Sequence, residues 1–192
     1  MARESTKQEK KTPPANKAGA NTAPDAIQLL TADHRTVEAL FKKFEDAKDD
    51  DERKSDIVID ICDALSVHAE IEEEIFYPAA REALKEDGQD MLDEAEVEHA
   101  SLKSLVEQLE DAEPDDELYD AKVKVLCEYV THHVKEEEGE MFPKIKKSKL
   151  DLTELGGEMA KRKSELMAAA EDDDGEDDEE EDTEKDEEEV AG

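Results

Sequence analysis

The sequence predicts an all-α protein that folds as an antiparallel four-helix bundle. Apolar residues recur at intervals of three and four, the period of an amphipathic helix, and no useful length alternates apolar and polar residues as a strand would. The helical pattern also repeats after 65 residues, with histidines, glutamates and apolar residues at matching positions. The repeat predicts an internal pseudo-twofold axis that relates the first two helices to the last two.

The first half of the repeat contains two predicted helices with polar residues on their apolar seams. The first helix opens at Pro24-Asp25 and carries His34 on its seam. The second carries His68 and Glu72, and it is predicted to kink or end at Tyr77-Pro78 because proline cannot continue the helical hydrogen bonding. The apolar seam residues of these helices are Ile27, Leu30, Val37, Phe41, Phe44, Ile57, Ile61, Leu65 and Phe76.

The second half of the repeat copies this arrangement. Gly88 marks the turn between the halves, the third helix carries His99, and Pro114 separates it from a fourth helix that carries His133 and Glu137. Histidine and glutamate therefore occupy core positions again. The apolar seam residues here are Leu92, Ala95, Leu102, Val106, Leu109, Val123, Leu126, Val130 and Met141.

The bundle is predicted to span residues 26–147, with three further segments around it. Residues 1–25 are slightly basic and contain prolines, which predicts a flexible arm. Residues 148–170 form a short C-terminal segment, a possible fifth helix, interrupted at Gly156-Gly157. Residues 171–192 contain sixteen acidic residues and one lysine, which predicts a disordered tail.

The formal net charge of −34 restricts the partners of the chain. It disfavours nucleic acid and anionic membranes and permits cations or basic proteins, so a basic protein is a possible partner for the acidic tail. No apolar run is long enough to span a bilayer, no apolar signal core begins the sequence, and only two cysteines occur, both within helical runs. These features predict a cytoplasmic protein.

The two copies of the repeat each place a histidine and a glutamate four residues apart, His68 with Glu72 and His133 with Glu137. Residues at this spacing share one face of a helix, and imidazole and carboxylate groups are ligands of first-row metal ions. A buried carboxylate also costs several kcal/mol unless a cation accompanies it. The sequence therefore predicts a site for two metal ions. Its predicted ligands are His34, His68, Glu72, His99, His133 and Glu137.

The repeated pattern of His-x-x-x-Glu-Glu leading to Phe-x-Pro or Phe-Pro, with a further histidine on the preceding helix, resembles the hemerythrin-like, or HHE cation-binding, family. The resemblance covers Ala26 to Lys147. It implies a non-haem di-iron centre held by the six residues above, which binds or processes dioxygen, nitric oxide or peroxide. Manganese and zinc remain open, because the donor set suits several divalent ions. The alternatives are an iron- or oxygen-sensing protein without turnover, which signals to a protein partner, and a metal-free helical interaction module.

One position departs from the oxygen-carrying hemerythrins. Those proteins have a fifth histidine four residues after the one on the third helix, where this chain has Lys103. Two histidines per ion and two shared carboxylates give about four protein donors of a preferred six, so both ions would keep open positions. This favours redox turnover, nitric oxide binding or iron handling over reversible oxygen storage, and an enzymatic activity toward peroxide or nitric oxide stays an open question.

Several other residues near the His-x-x-x-Glu motifs are predicted not to be metal ligands. Glu38 is predicted to lie on the surface or behind a ligand, and His132 to lie on the surface or pack. Glu73 and Glu138 are predicted to line the rim, with a contact to the ligands as the alternative, and their replacement is expected to cost little affinity. The remaining candidates are Cys62 and Cys127 as core residues with redox sensing as a minor possibility, and Tyr77 and Phe142 as caps of an apolar pocket.

Overall fold

The structure is a computed structural model that describes residues 23–173. In this range the chain is helical apart from its connections, and it has no strand. The helices are α1 (Ala26–Ala47), α2 (Asp51–Ile71), α3 (Tyr77–Leu84), α4 (Gln89–Glu110), α5 (Tyr119–Glu136), α6 (Phe142–Ile145) and α7 (Leu152–Asp173). Two π-helical turns, Glu72–Phe76 and Glu137–Met141, and a 3₁₀ turn, Lys85–Gly88, join some of them.

These helices form the predicted four-helix bundle. Its four members are α1, α2 continued into α3, α4, and α5 continued into α6, with α1 packed on α2, α4 on α5, and α2 on α4. The all-α prediction is confirmed, whereas the internal twofold axis stays a prediction. The predicted flexible arm and acidic tail lie almost wholly in residues 1–22 and 174–192, outside the described residues.

Local sequence fixes where the first helix begins. The Asp25 carboxylate accepts a hydrogen bond from the backbone N–H of Gln28 at 2.9 Å, and the Gln28 side chain accepts one from the Asp25 backbone N–H at 3.1 Å. This reciprocal cap satisfies two backbone donors that a helix start leaves without a partner. It sets the first residue of α1 and, with it, the register that turns His34 inward.

The second helix, predicted to kink or end at Tyr77-Pro78, does not end there, because the chain stays helical to Leu84. A π turn precedes the proline, and in it the Tyr77 backbone N–H donates to the carbonyl oxygen of Glu72, five residues back. Proline lacks an N–H and its ring clashes with the carbonyl four residues earlier, so a wider turn lets the helix continue past it. The second half repeats this device, with the Phe142 N–H donating to Glu137.

The C-terminal segment is one continuous helix, so the predicted interruption at Gly156-Gly157 is wrong. Helix α7 packs against α1, α2 and the first π turn, and it buries Leu155 and Met159. A Cβ atom at Gly156 would lie 2.6 Å from the Ala26 nitrogen and from the Pro24 oxygen. Glycine at this position therefore permits close packing of α7 on the start of α1, and this packing keeps the segment helical.

The paired glycines predict opposite effects of one substitution. Gly156→Ala should destabilise the protein by about 1–3 kcal/mol, because the added methyl group meets rigid backbone. Gly157→Ala should stabilise it by about 0.5–1 kcal/mol, because the site is open and alanine is the better helix former. Urea unfolding of both variants measures this difference, and equal effects would contradict the close packing of α7.

The core is divided into two apolar clusters. One lies between α1, α2, α4 and α5 and includes Val37, Ile61 and Leu126. The other lies toward the π turns and α7 and includes Leu30, Phe76 and Met159. A band of buried polar side chains separates the clusters and forms the site described next. In the described part of the chain, no helix is both long and apolar enough to cross a membrane.

Candidate metal centre

The structure brings all six predicted ligands together between the two apolar clusters. Each is at most 6% exposed, which is rare for charged and polar side chains unless they are paired. One histidine comes from each long helix of the bundle, and each glutamate is the first residue of a π turn. The residues are His34 on α1, His68 on α2, His99 on α4, His133 on α5, and Glu72 and Glu137.

The four histidines form two pairs. The rings of His34 and His68 have centroids 4.9 Å apart, and those of His99 and His133 are 4.7 Å apart. In the second pair the two Nε2 atoms approach to 3.1 Å. Each pair combines a histidine from the first or third helix with one from the helix that follows it, so the two pairs correspond to the two halves of the repeat.

The two glutamates lie between the pairs. The Oε2 atom of Glu72 is 3.2 Å from Nε2 of His68 and 3.4 Å from Nε2 of His99. The Oε2 atom of Glu137 is 3.2 Å from Nε2 of His34 and 3.7 Å from Nε2 of His133. Donors held at right angles about 2.1 Å from one ion lie about 3 Å apart, so these spacings suit shared coordination. Each carboxylate therefore reaches one histidine of each pair, as a bridging ligand would.

A second layer of carboxylates orients the histidines. The Nδ1 atom of His34 is 2.9 Å from Glu138, that of His99 is 3.0 Å from Glu73, and that of His133 is 2.7 Å from Glu98. An ionised carboxylate only accepts hydrogen bonds, so each of these Nδ1 atoms carries a proton and each Nε2 atom faces the centre. Asp33 lies 3.6 Å from Nδ1 of His68, in the same relative place but beyond hydrogen-bonding distance.

Several buried atoms at the centre have no hydrogen-bond partner among the described residues. These include Nε2 of His34, Oε1 of Glu72 and Oε2 of Glu137. A buried polar atom without a partner costs about 1–3 kcal/mol, and more for a charged group. Three such atoms in one place, all of them of metal-ligand type, fit a bound cation.

The electrostatics of the centre indicate the same need for positive charge. Burial and the neighbouring charge of Glu137 raise the pKa of Glu72 to about 8. Burial acts similarly on Glu137, but the close approach of His34 and the charge of His133 outweigh it and lower its pKa to about 2. Burial also opposes the charged form of His34, yet contact with Glu137 prevails and raises its pKa to about 9. Without a metal ion, protons on Glu72 and His34 therefore compensate the buried charge at neutral pH.

The sequence model of the hemerythrin HHE cation binding domain matches residues 25–145 of this chain. The chain belongs to the hemerythrin HHE cation binding domain family. Two clusters of this HHE domain could hold a cation, because their ligand atoms lie within 4.8 Å of one another. They are His34, His68, Glu72, Glu137 and Glu72, His99, His133.

Two known proteins are similar to the HHE domain described here. A DNA nickase of Nostoc sp. is 30% identical over 119 residues, which are 62% of this chain and 32% of the nickase. The chain thus spans about a third of that relative's length. A crystal structure of a hemerythrin HHE cation binding domain-containing protein from Mycobacterium kansasii has a TM-score of 0.66 and 23% identity, over 77% of this chain and 90% of that one. The second likeness supports the fold.

The outer carboxylates of this HHE domain follow the same repeat as the ligands. Asp33 and Glu98 stand 65 residues apart, each directly before a ligand histidine, and Glu73 and Glu138 are also 65 apart. Sequence reasoning missed Asp33 and Glu98. The signal that could have revealed them is that both copies of the repeat have an acidic residue directly before the ligand histidine.

For Glu73 and Glu138 the structure selects the alternative that the sequence left open. Both side chains are partly exposed, yet each contacts a ligand histidine of the other half of the repeat. The prediction of rim residues assumed 100° of rotation per residue, which the π turns do not follow, because a wider turn reduces the angular offset. The expectation that their replacement costs little affinity is therefore revised.

We now expect Glu73→Ala and Glu138→Ala each to lower metal affinity by about 10- to 100-fold, the usual cost of removing an outer partner of a ligand. Glu82→Ala is the matched control, because Glu82 is an exposed residue of α3. Competition with a chromophoric chelator measures the affinities. If the two variants retained metal as well as the control, the carboxylates would not be orienting the histidines.

Tyr77 and Phe142 occupy matching positions of the 65-residue repeat, but they make different contacts with the two histidine pairs. The Tyr77 hydroxyl lies 3.1 Å from Nε2 of His99 and 3.1 Å from Oε1 of Glu137, whereas the Phe142 ring stacks on His34 at 6.0 Å. Burial and the charges of Glu72 and Glu137 raise the pKa of Tyr77 well above its ordinary value, so the hydroxyl stays protonated. Tyr77 is therefore a polar member of the centre and not only the apolar cap that the sequence predicts.

The other candidates lie outside the centre. Glu38 is exposed and pairs with Arg35, and the side chain of His132 is 58% exposed. Lys103 bonds the outer carboxylate Glu73 at 2.6 Å, which holds that carboxylate toward its histidine. Burial raises the pKa of the Cys62 thiol to about 12, so this cysteine is an unreactive core residue at neutral pH.

Proposed function

We propose that this domain holds two iron ions and binds or processes a small oxidant such as dioxygen, nitric oxide or peroxide. The observation that carries the proposal is the pair of carboxylates, each within 3.7 Å of one histidine from both pairs. Two histidine pairs with two shared carboxylates would hold two adjacent ions. Iron would supply one-electron redox chemistry, which the side chains of this cluster lack.

The protein side chains would set the surroundings of that chemistry. Glu72 and Glu137 balance the charge of the ions, and the outer carboxylates keep each imidazole turned toward the centre. The apolar clusters on either side keep bulk water away. Such fixed donors in a dry site restrict both ligand exchange and the geometry of an added ligand.

A small cavity beside the histidines is evidence in favour of a small ligand. It has a volume of about 30 Å³ and borders all four histidines, with a mostly apolar wall that includes Val37, Leu65, Leu102, Val106 and Val130. A single water molecule needs about 10–15 Å³ of such volume. The cavity therefore suits a molecule of two or a few atoms and excludes organic substrates.

The buried Tyr77 hydroxyl is a hydrogen-bond donor at the His99 side of the centre. It can donate a hydrogen bond to a ligand that carries negative charge. We expect Tyr77→Phe to bind metal in the same amount as the wild type but to react with peroxide about tenfold more slowly, in the range of a lost donor at a reacting atom. Metal analysis combined with the rate of peroxide loss tests this, and an unchanged rate would remove Tyr77 from the reaction.

The experiment that tests the function begins with anaerobic purification and metal quantitation. Absorption spectra are then recorded before and after addition of air, peroxide and nitric oxide. Two iron ions per chain and a spectral change with at least one of these ligands support the proposal. One tightly held ion, or none after growth in iron-replete medium, would contradict a dinuclear centre.

A second candidate function is iron or oxygen sensing without turnover. Two buried carboxylates with unpartnered oxygen atoms make the folded state depend on a bound cation, so metal occupancy would alter the bundle itself. A sensor would pass that change to a protein partner, for which the acidic residues of 171–192 offer a surface for basic proteins. Consumption of peroxide or nitric oxide over many turnovers would favour the first function, and stoichiometric binding would favour this one.

The similarity to a DNA nickase does not extend this proposal to DNA. The match covers 32% of that protein, and a net charge of −34 repels a polyanion. We propose that the shared part is the cation-binding domain and that this chain acts in the cytoplasm without a nucleic-acid or membrane partner.

A further inference from the structure

Three of the four outer carboxylates pair with a lysine or an arginine, and the fourth, Glu98, pairs with His132 instead. Arg35 pairs with Glu138, Lys103 with Glu73, and Lys163 with Asp33. Among residues 23–173, no lysine or arginine forms an ion pair with Glu98, although Glu98 makes the short contact with His133. Glu98 thus lacks the lysine or arginine partner that each of the other three outer carboxylates has.

The neighbours of Glu98 on the outer side are metal-ligand types. Nε2 of His132 lies 3.4 Å from Oε1 of Glu98 and 3.2 Å from Oε1 of Glu136. The three groups offer ligand atoms within 4.8 Å of one another, and they come from two helices that the bundle holds together. One imidazole and two carboxylates suit a divalent first-row ion with water in its remaining positions.

An acidic cleft leads from this cluster to the buried centre. It has a volume of about 150 Å³, it is lined by Glu94, Glu98, Glu136 and Glu140, and no described lysine or arginine lines it. Its inner wall includes His133 and Glu137, and the buried Oε2 atom of Glu137 has no hydrogen-bond partner among the described residues. Carboxylates in a confined cleft concentrate cations and speed their association.

The other half of the repeat lacks this opening. Positions 65 residues before Glu94, Glu136 and Glu140 hold Leu29, Ile71 and Ile75. These apolar residues belong to the cluster that includes Leu155 and Met159 of α7. Helix α7 thus covers the surface that corresponds to the cleft.

We propose that Glu98, His132 and Glu136 form a peripheral site for a divalent cation, and that the adjoining cleft is the route by which metal ions reach the buried centre. The peripheral site stands on its own geometry, whereas the route rests on the proposed metal centre. Glu98 joins the two sites, because its other oxygen contacts a ligand histidine. An ion bound at the peripheral site would then share Glu98 with His133, a predicted ligand of the buried centre.

The test uses full-length protein and two cations as probes. Bound Mn(II) is counted by electron paramagnetic resonance at fixed free Mn(II), and Co(II) entry into the metal-free protein is timed by visible absorption in a stopped-flow instrument. The variants are His132→Ala and Glu136→Gln. The matched control is Glu128→Gln, an exposed residue two turns earlier on the same helix that loses the same charge.

We expect both variants to bind one Mn(II) fewer than the wild type and the control. They should also take up Co(II) into the buried centre about tenfold more slowly, while the absorption of Co(II) in that centre reaches the same final value. A Mn(II) count equal to the control would overturn the peripheral site and leave His132 as an ion-pair partner of its neighbours. A lost ion with unchanged Co(II) uptake would overturn the route. The double variant Glu72→Gln/Glu137→Gln separates the two proposals, because it should lose the ions of the centre and keep the peripheral one.

Discussion

Replacing both Glu72 and Glu137 by glutamine should abolish binding of both metal ions and, at the same time, make the metal-free protein more stable. Each carboxylate reaches a histidine of both pairs, so its loss removes a donor from both ions. Removing an outer partner already costs about 10- to 100-fold in affinity, so loss of two bridging ligands should exceed that range. Loss of His34 or His99 alone should cost less, because each serves one ion.

The gain in stability of the metal-free variant follows from burial. Both carboxyl groups are at most 1% exposed and each has an unpartnered oxygen atom. Burial raises the pKa of Glu72 to about 8, so at neutral pH folding without metal must add a proton to this group, and a neutral amide avoids that cost. The metal-free variant should therefore gain about 1–3 kcal/mol over the metal-free wild type. Elemental analysis and chemical unfolding measure the two effects. The control is Glu82→Gln/Glu128→Gln, which changes two exposed residues.

Two results would contradict this interpretation of the glutamates. If the double variant kept both ions, the carboxylates would not be ligands. If the exposed control lost metal as well, the effect would come from general negative potential and not from coordination. Loss of metal without a gain in metal-free stability would mean that Glu72 and Glu137 are not desolvated as the structure describes.

Removing the metal from the wild type should lower its thermal unfolding midpoint by about 20 °C. An ion present at about a thousand times its dissociation constant stabilises the folded state by about 4 kcal/mol, so two ions contribute about 8 kcal/mol. For a domain of this size 1 kcal/mol corresponds to about 2–4 °C. The six buried polar residues separate the apolar clusters and do not contribute to either, so the metal-free bundle should be easily unfolded.

Far-UV circular dichroism with and without Fe(II), under anaerobic conditions, measures the shift. A chain that ends at residue 170 should show the same shift, because the removed residues contain no histidine. Equal midpoints with and without Fe(II) would mean that the six residues do not bind metal, and the proposed centre would have to be abandoned. A shift lost on truncation would instead place the acidic residues at the site.

The sequence was sufficient to place the six central residues, because spacing of four and a repeat of 65 are properties that the chain itself displays. It was not sufficient to predict the π turns. The hydrogen bond from the Tyr77 N–H to the carbonyl five residues back changes the rotation per residue about the helix axis, but it leaves the spacing of the apolar residues in the sequence unchanged. It also missed Asp33 and Glu98, whose direction depends on the neighbouring helix. The continuity of α7 depends on backbone contact between Gly156 and Ala26, which lie far apart in sequence.

The ion pair between Lys163 and Asp33 makes the outermost helix part of the thermodynamics of the centre. Asp33 faces Lys163 of α7 on one side and His68 on the other. Coupling free energies are reciprocal. If detachment of α7 removes Asp33 from its position beside His68 and so lowers metal affinity, then metal binding favours the attached form of α7 by the same factor. The acidic run that begins at residue 171 follows directly on this helix in the sequence, so a partner that bound there and detached α7 would weaken metal binding at the proposed site beside His68.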